Sequence, residues 1–157
     1  IEGTNFSSWY NTSEWTIVSR FSYQDGGENC GPYAILDSST NLLSIQNRFN
    51  LRVNTSQGYV LKPFARALNN VVLTGEGGVI PAGALATTAF GMSLNDSQVA
   101  VNGVLGTVTG PSTYPVGLVK LYLGSSPVDI KHINGHLSHF SYYNTRLTDQ
   151  QLIDLTT

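Results

Sequence analysis

The chain is short of charge. Lysine, arginine, aspartate and glutamate make up 11% of its 157 residues, less than half the roughly 25% usual for a soluble domain. Eight basic and ten acidic side chains leave a formal net charge of −2. That excludes the broadly basic footprint of nucleic-acid and anionic-lipid binders. The single cysteine, Cys30, excludes an intrachain disulfide and reads as a buried or idle thiol of a chain folded under reducing conditions. No apolar run approaches the ~18 residues of a transmembrane helix, so no membrane insertion is expected, and no signal-peptide pattern opens the chain. Starting at Ile1 rather than Met, the chain reads as a processed product or a domain of a longer protein.

Catalytic signatures are missing too. The four glutamates, Glu2, Glu14, Glu28 and Glu76, do not share a recognisable strand. Retaining glycosidases need two carboxyls about 5–5.5 Å apart, so hydrolysis is not expected. No Gly-x-Ser-x-Gly elbow marks a serine nucleophile. His132, His136 and His139 are the tempting metal cluster, but alternation puts His136 and His139 on opposite strand faces unless a bulge intervenes. In a trimeric fibre a single histidine per chain could still meet its mates on the axis. Asp25, Asp96 and Asp129 lie in loops without a calcium-ligand run. The sequons at Asn5, Asn11, Asn54 and Asn95 are chance matches in so Asn- and Ser-rich a chain. No metal and no cofactor are implied.

In place of charge stand Asn, Ser and Thr, 44 residues in all, a neutral hydroxyl- and amide-rich surface suited to β-structure and to hydrogen bonding with sugars. After a polar lead-in over residues 1–13, Glu14–Tyr23 reads as a strand rich in β-branched and aromatic residues. Asp25-Gly26-Gly27 supplies a turn. Short β-type runs follow at Tyr33–Asp37, Leu42–Gln46, Phe49–Val53, Tyr59–Phe64 and Asn69–Leu73. Ala84–Phe90 reads as a strand hairpinned with Ser97–Gly103, and Asn102-Gly103 is a tight-turn signal. Thr107–Pro115 is a loop, Val119–Gly124 a strand and Ser125–Asn134 a further loop. In Gly135–Tyr143 the step from Leu137 to Phe140 breaks the period of two, so a bulge is expected near Ser138-His139.

One helix is expected, at the C-terminal end. Thr148 is its N-cap, Gln151 completes a capping box, and Leu147 staples onto Leu152. About two turns long, it cannot hold alone and must dock through Leu152 and Leu155. Many short strands, frequent turns and one terminal helix predict an all-β fold: an antiparallel β-sandwich of the jelly-roll kind, a single domain over residues 1–157. Trp9, Leu137, Phe140, Tyr142, Leu147, Thr148, Leu152 and Leu155 are its expected anchors. Sugar binding needs an exposed ring to stack on a pyranose, with amides and carboxylates nearby. Tyr114 in its Gly/Pro/Ser/Thr loop, and Tyr23 and Tyr33 flanking the turn that holds Asp25, are the candidates.

Two stretches carry a family likeness. Gly135-His-Leu-Ser-His-Phe-Ser-Tyr-Tyr-Asn-Thr-Arg-Leu-Thr148 and Asn95-Asp-Ser-Gln-Val-Ala-Val-Asn-Gly103 resemble the closing strand and a hairpin of the concanavalin A-like lectin/glucanase superfamily, in its laminin-G-like branch. Trp9-Tyr-Asn-Thr-Ser-Glu-Trp-Thr16 is similar to the start of such domains in bacteriophage tail proteins, with Trp15 where a glycine is usual. The resemblance implies a non-enzymatic virion protein: a tail-fibre, receptor-binding domain that recognises host surface glycans, forms a homotrimer and sits on the extracellular particle beside other tail or capsid proteins. Two alternatives are a purely structural capsid-decoration or tail-assembly domain and a glycan-degrading enzyme.

Overall fold

The computed structural model describes residues 1, 3–24, 30–37, 47–126 and 131–157. Asp25 and the Leu42–Gln46 run lie outside them. A single turn of helix, α1 (Thr4–Ser7), is followed by β1 (Glu14–Tyr23), β2 (Cys30–Asp37), β3 (Arg48–Asn54), β4 (Val60–Ala67) and β5 (Asn70–Glu76). Next come β6 (Gly78–Val79), β7 (Leu85–Ser93), β8 (Gln98–Val101), β9 (Val104–Leu105) and β10 (Thr107–Thr109). The chain closes with β11 (Leu118–Leu123), the two-residue strands β12 (Ser125–Ser126) and β13 (Lys131–His132), β14 (Gly135–Tyr143) and helix α2 (Asp149–Asp154). The stretches over 107–115 and 125–134 thus hold short ladders within what reads as loop.

Two antiparallel sheets make a lectin-like β-sandwich. One runs β14-β1-β7-β8-β9, the other β10-β5-β4-β3-β2-β11 with β6 on β4. Alternation sorts each strand into a core face and an outer face. From β1 the core receives Trp15, Ile17, Phe21 and Tyr23, and from β3 it receives Phe49, Leu51 and Val53. The aromatic centre is tight: Phe49 stacks on Phe90 at 4.7 Å and meets Trp15 edge-on at 4.8 Å. Within the same core, Ser19 Oγ and Thr88 Oγ1 pair at 2.8 Å, so neither buried hydroxyl is left without a partner.

The lead-in is not merely polar. α1 sets Phe6 wholly inside and stacks it on Tyr10 at 4.7 Å. Trp9 packs edge-on against Phe6 and Tyr142, and Trp15 Nε1 donates to Tyr10 Oη at 3.1 Å. The sequence disguises this plug because its aromatic residues are spaced among Asn, Ser and Thr.

β14 pairs with β1 and its register slips between Arg20 and Phe21, with Arg20 opposite His139 and Phe21 opposite Leu137. Ser138 is the extra residue of a bulge, and its Oγ donates to Arg20 O. The slip turns Leu137, Phe140 and Tyr142 toward the core, where all three pack partly buried. It also brings His136 and His139 onto the same outer face, opposite Ser22 and Arg20.

α2 carries the expected capping box: Thr148 Oγ1 accepts from Gln151 N and Gln151 Oε1 from Thr148 N. It docks on the outer face of the five-stranded sheet, where Leu152, fully buried, meets Val18, Ala89 and Ala100, with Leu147 against them. Leu155 is a correction. It is 38% exposed, because the helix ends there and the next inward position belongs to Thr156, whose Oγ1 donates to Leu152 O and accepts from Gly103 N. Arg146 pins the approach to the helix, bridging Asp96 at 3.3 Å and Asp149 at 2.6 Å.

Candidate ligand-binding face

The two outer faces differ. α2 covers part of one sheet, whereas the outer face of the seven-stranded sheet has no helix docked on it among the described residues. Its composition follows from register. Arg48 stands opposite Arg66, Asn50 opposite Phe64 and Arg52 opposite Lys62 on the central pair β3–β4. Phe64 continues to Thr74 on β5 and Thr109 on β10. On the other side Arg48 continues to Leu36 and Lys120, and Asn50 to Ala34 and Tyr122. Five of the chain's eight basic side chains (Arg48, Arg52, Lys62, Arg66 and Lys120) therefore share one sheet face.

Phe64 organises them. Its ring is only 7% exposed, because three guanidinium groups gather around it, Arg52 at 4.4 Å from the ring centre, Arg48 at 5.2 Å and Arg66 at 5.7 Å. The ring quadrupole attracts cations by roughly 0.5–1 kcal/mol per contact at exposed sites. That attraction opposes the cost of like charges placed directly across from each other on neighbouring strands. Two buried polar atoms here, Arg66 Nε and Asn50 Oδ1, have no hydrogen-bond partner among the described residues. Each such atom costs about 1–3 kcal/mol, and both belong to this face.

Beside the ring runs a groove of about 420 Å³, lined by Arg52, Lys62, Phe64, Thr74, Glu76 and Thr109 among others. Glu76 is the one carboxylate among its described lining residues, and Lys62 Nζ holds it at 3.1 Å. The lining offers guanidinium and ammonium donors, hydroxyls that both donate and accept, and one carboxylate acceptor. Such a set can bind and orient a polar ligand. It does not present the two carboxyl groups that glycosidic cleavage requires.

The tyrosines expected to stack on sugar lie elsewhere. Tyr23 is wholly buried and Tyr33 is 1% exposed. Both occupy core-facing positions, Tyr33 opposite Leu51, so strand alternation turns inward the rings that proximity to a turn suggested were free. Burial pushes the Tyr33 hydroxyl well above its ordinary pKa, and its oxygen has no hydrogen-bond partner among the described residues. Tyr114 is partly buried against the core, and burial is the main cause of its raised hydroxyl pKa. None of the three lines the groove. Tyr122, which the sequence did not single out, packs partly buried on Ala34 and Leu36 of the arginine face. Among the described residues no three His, Cys, Asp or Glu side chains gather as a metal site would need.

A signal for this face does exist in the sequence. Arg48-x-Asn50-x-Arg52 and Lys62-x-Phe64-x-Arg66 alternate as strictly as the core residues between them, and whole-chain net charge averages them away.

No protein-family model matches the chain, and no curated protein matches it in sequence. Solved structures do resemble it. The carbohydrate-binding module CBM40 of the Ruminococcus gnavus IT-sialidase, bound to α2,3-sialyllactose, superposes with a TM-score of 0.78 at 13% identity, over 96% of this chain and 86% of that one. The NanB sialidase of Streptococcus pneumoniae gives 0.76 at 15% identity, over 100% of this chain and 26% of the sialidase. Domain 4 of AbnA, a GH43 extracellular arabinanase from Geobacillus stearothermophilus in complex with arabinotriose, gives 0.70 at 15% identity, over 94% and 68%. At these identities the likeness is one of fold.

Proposed function

We propose that this chain is a non-enzymatic carbohydrate-recognition domain and that the outer face of its seven-stranded sheet is the sugar-binding surface. The observation that carries the proposal is the hydroxyl- and cation-lined groove on a sheet face over which no described helix docks, next to guanidinium groups gathered around Phe64. Sugar recognition relies on dense hydrogen bonding, and the groove's guanidinium, ammonium, hydroxyl and carboxylate groups supply donors and acceptors for it. Two of the solved structures of similar fold hold oligosaccharides, which supports the same reading. Tyr122 stands two strands from Asn50 by register, about 10 Å away, within reach of a neighbouring saccharide unit.

A bacteriophage tail fibre or related receptor-binding protein, homotrimeric and displayed on the virion, is our proposed setting. It rests on the likeness of Trp9–Thr16 and Gly135–Thr148 to such proteins. Binding of the purified chain to an array of acidic and neutral glycans tests the function. A restricted set of hits is expected, lost when Arg52 and Lys62 are both changed to Gln in a protein that still melts cooperatively. A blank array at high protein concentration, or hits unaffected by that double variant, overturns the proposal. Release of reducing sugar from any hit would show an enzyme instead.

A further inference from the structure

We infer that the sugar is a neutral one and that Glu76, braced by Lys62, fixes it, its carboxylate accepting hydrogen bonds from two adjacent hydroxyls of one ring. This rests on the proposed sugar-binding face and names the class of sugar. Register lays out the groove's outer end on neighbouring strands. Thr107 on β10 stands opposite Glu76 on β5, and Thr109 opposite Thr74. Paired strands lie about 4.8 Å apart and alternate residues of one strand about 6.8 Å apart. The four side chains therefore mark the corners of a patch comparable in size with a single pyranose ring. All four are exposed and line the groove. Lys62 closes one side, its Nζ 3.1 Å from Glu76 Oε1. Further along β5 the register slips opposite Ala65 and Arg66, and Val71, 50% exposed, joins the lining as an aliphatic wall.

Spare hydrogen-bonding capacity is concentrated on these residues. Among the described residues Lys62 is the one polar partner of the Glu76 carboxylate, whose side chain is 60% exposed, so its second oxygen is open to a ligand. No side-chain hydrogen bond engages the Thr74, Thr107 or Thr109 hydroxyl among the described residues. The groove's two cations are occupied, Lys62 by Glu76 and Arg52 at Phe64, 4.4 Å from the ring centre. The open charge is thus a carboxylate. It has no hydrogen to donate and takes hydroxyl donors alone, and its paired oxygens suit the side-by-side hydroxyls of a sugar ring. The threonines donate and accept, as the remaining sugar hydroxyls do. An anionic sugar would bring like charge up to Glu76. Lys62 holds the carboxylate in one direction before the ligand arrives, which lowers the ordering cost of binding.

The test is calorimetric titration of the strongest neutral hit of the array, with lactose, maltotriose and mannotriose always among the probes. Glu76→Gln should weaken binding about tenfold or more. Glu76→Asp, which keeps the charge but withdraws it by one carbon, should lose most of the affinity too. Removing either of two adjacent hydroxyls from the probe should cost a similar factor in the wild type and almost nothing in Glu76→Gln, the non-additivity that marks a direct contact. Wild-type affinity should change by less than about twofold as sodium chloride rises from about 50 to about 300 mM. Thr109→Val, which keeps the shape, should weaken binding severalfold, and Arg20→Gln on the other sheet should bind as wild type. Unchanged binding in Glu76→Gln, or hydroxyl losses that simply add to that of the variant, overturns the inference while leaving the sugar-binding proposal standing. So does a wild-type protein for which no adjacent pair of hydroxyls matters, a result that needs no variant to fold. An array whose strongest hits are acidic and salt-sensitive overturns it likewise. An array with no hits overturns both.

Discussion

Leu152 and Leu155 look equivalent in the sequence of α2, and the structure separates them. Leu152 is fully buried against Val18, Ala89 and Ala100, whereas Leu155 is 38% exposed. Leu152→Ala removes three carbons from that contact, a transfer loss of roughly 2.4 kcal/mol at about 0.8 kcal/mol per carbon. The cavity left between a short helix and a flat sheet adds to it, and the Leu→Ala range of about 2–5 kcal/mol places the total near 3 kcal/mol. Leu155→Ala deletes a side chain already partly in water and should cost under about 1 kcal/mol. Urea titration followed by fluorescence of the buried Trp15 reads both variants, with the slope of the transition unchanged if only stability moves. A loss of 3 kcal/mol is a large share of the 5–15 kcal/mol typical of a domain. Equal effects of the two substitutions, or a Leu152→Ala loss below 1 kcal/mol, would refute the placement of α2 as the cover of this sheet. Hydrogen exchange at α2 distinguishes local detachment of the helix from global unfolding.

Other consequences are as open to measurement. Burial raises the Tyr10 and Tyr33 hydroxyl pKa values in the folded chain, so the unfolded chain loses those protons first. Stability should be flat below about pH 10 and then fall by about 1.4 kcal/mol per pH unit for each ring until its folded pKa is reached. Tyr33→Phe should remove one share of that slope at little cost near neutrality, because the hydroxyl has no partner among the described residues to lose; an unchanged alkaline slope counts against the burial. Gly135→Ala would drive its Cβ into the Ser22 carbonyl oxygen, so β14 must lift from β1 there. A loss of roughly 1–3 kcal/mol is expected, and an unaltered melting temperature argues against this register. Thr148→Ala should cost about 1 kcal/mol through the lost cap, seen as faster exchange of the α2 amides.

The fold was legible where period and punctuation agree. The strand over Glu14–Tyr23, the Asn102-Gly103 turn and the Thr148 cap each satisfy a local rule that no distant contact overrides. The skipped alternation between Leu137 and Phe140 pointed to the bulge at Ser138. The site was legible only in part. Tyr23 and Tyr33 flank a Gly-rich turn, and nearness to a turn says nothing about which face of the strand a ring takes. The phase of the strand decides that, and it is set by partners such as Leu51 far along the chain. The arginine face is a property of register: Arg52 meets Lys62 and Arg48 meets Arg66 only once β3 and β4 are paired. Phe64, in sequence one more apolar residue, gathers three cations only in three dimensions.

The strict alternation of β3 and β4 separates two kinds of evolutionary freedom. Phe49, Leu51, Val53, Leu61 and Ala65 keep the sandwich together, while Arg48, Asn50, Arg52, Lys62, Phe64 and Arg66 between them meet the other side of the sheet. A substitution at one set barely touches the packing of the other. The outward positions that are not buried can therefore change with little effect on the inward-facing scaffold. A library randomised at Arg48, Arg52, Lys62 and Arg66, with the buried Asn50 and Phe64 kept, should consist largely of folded proteins.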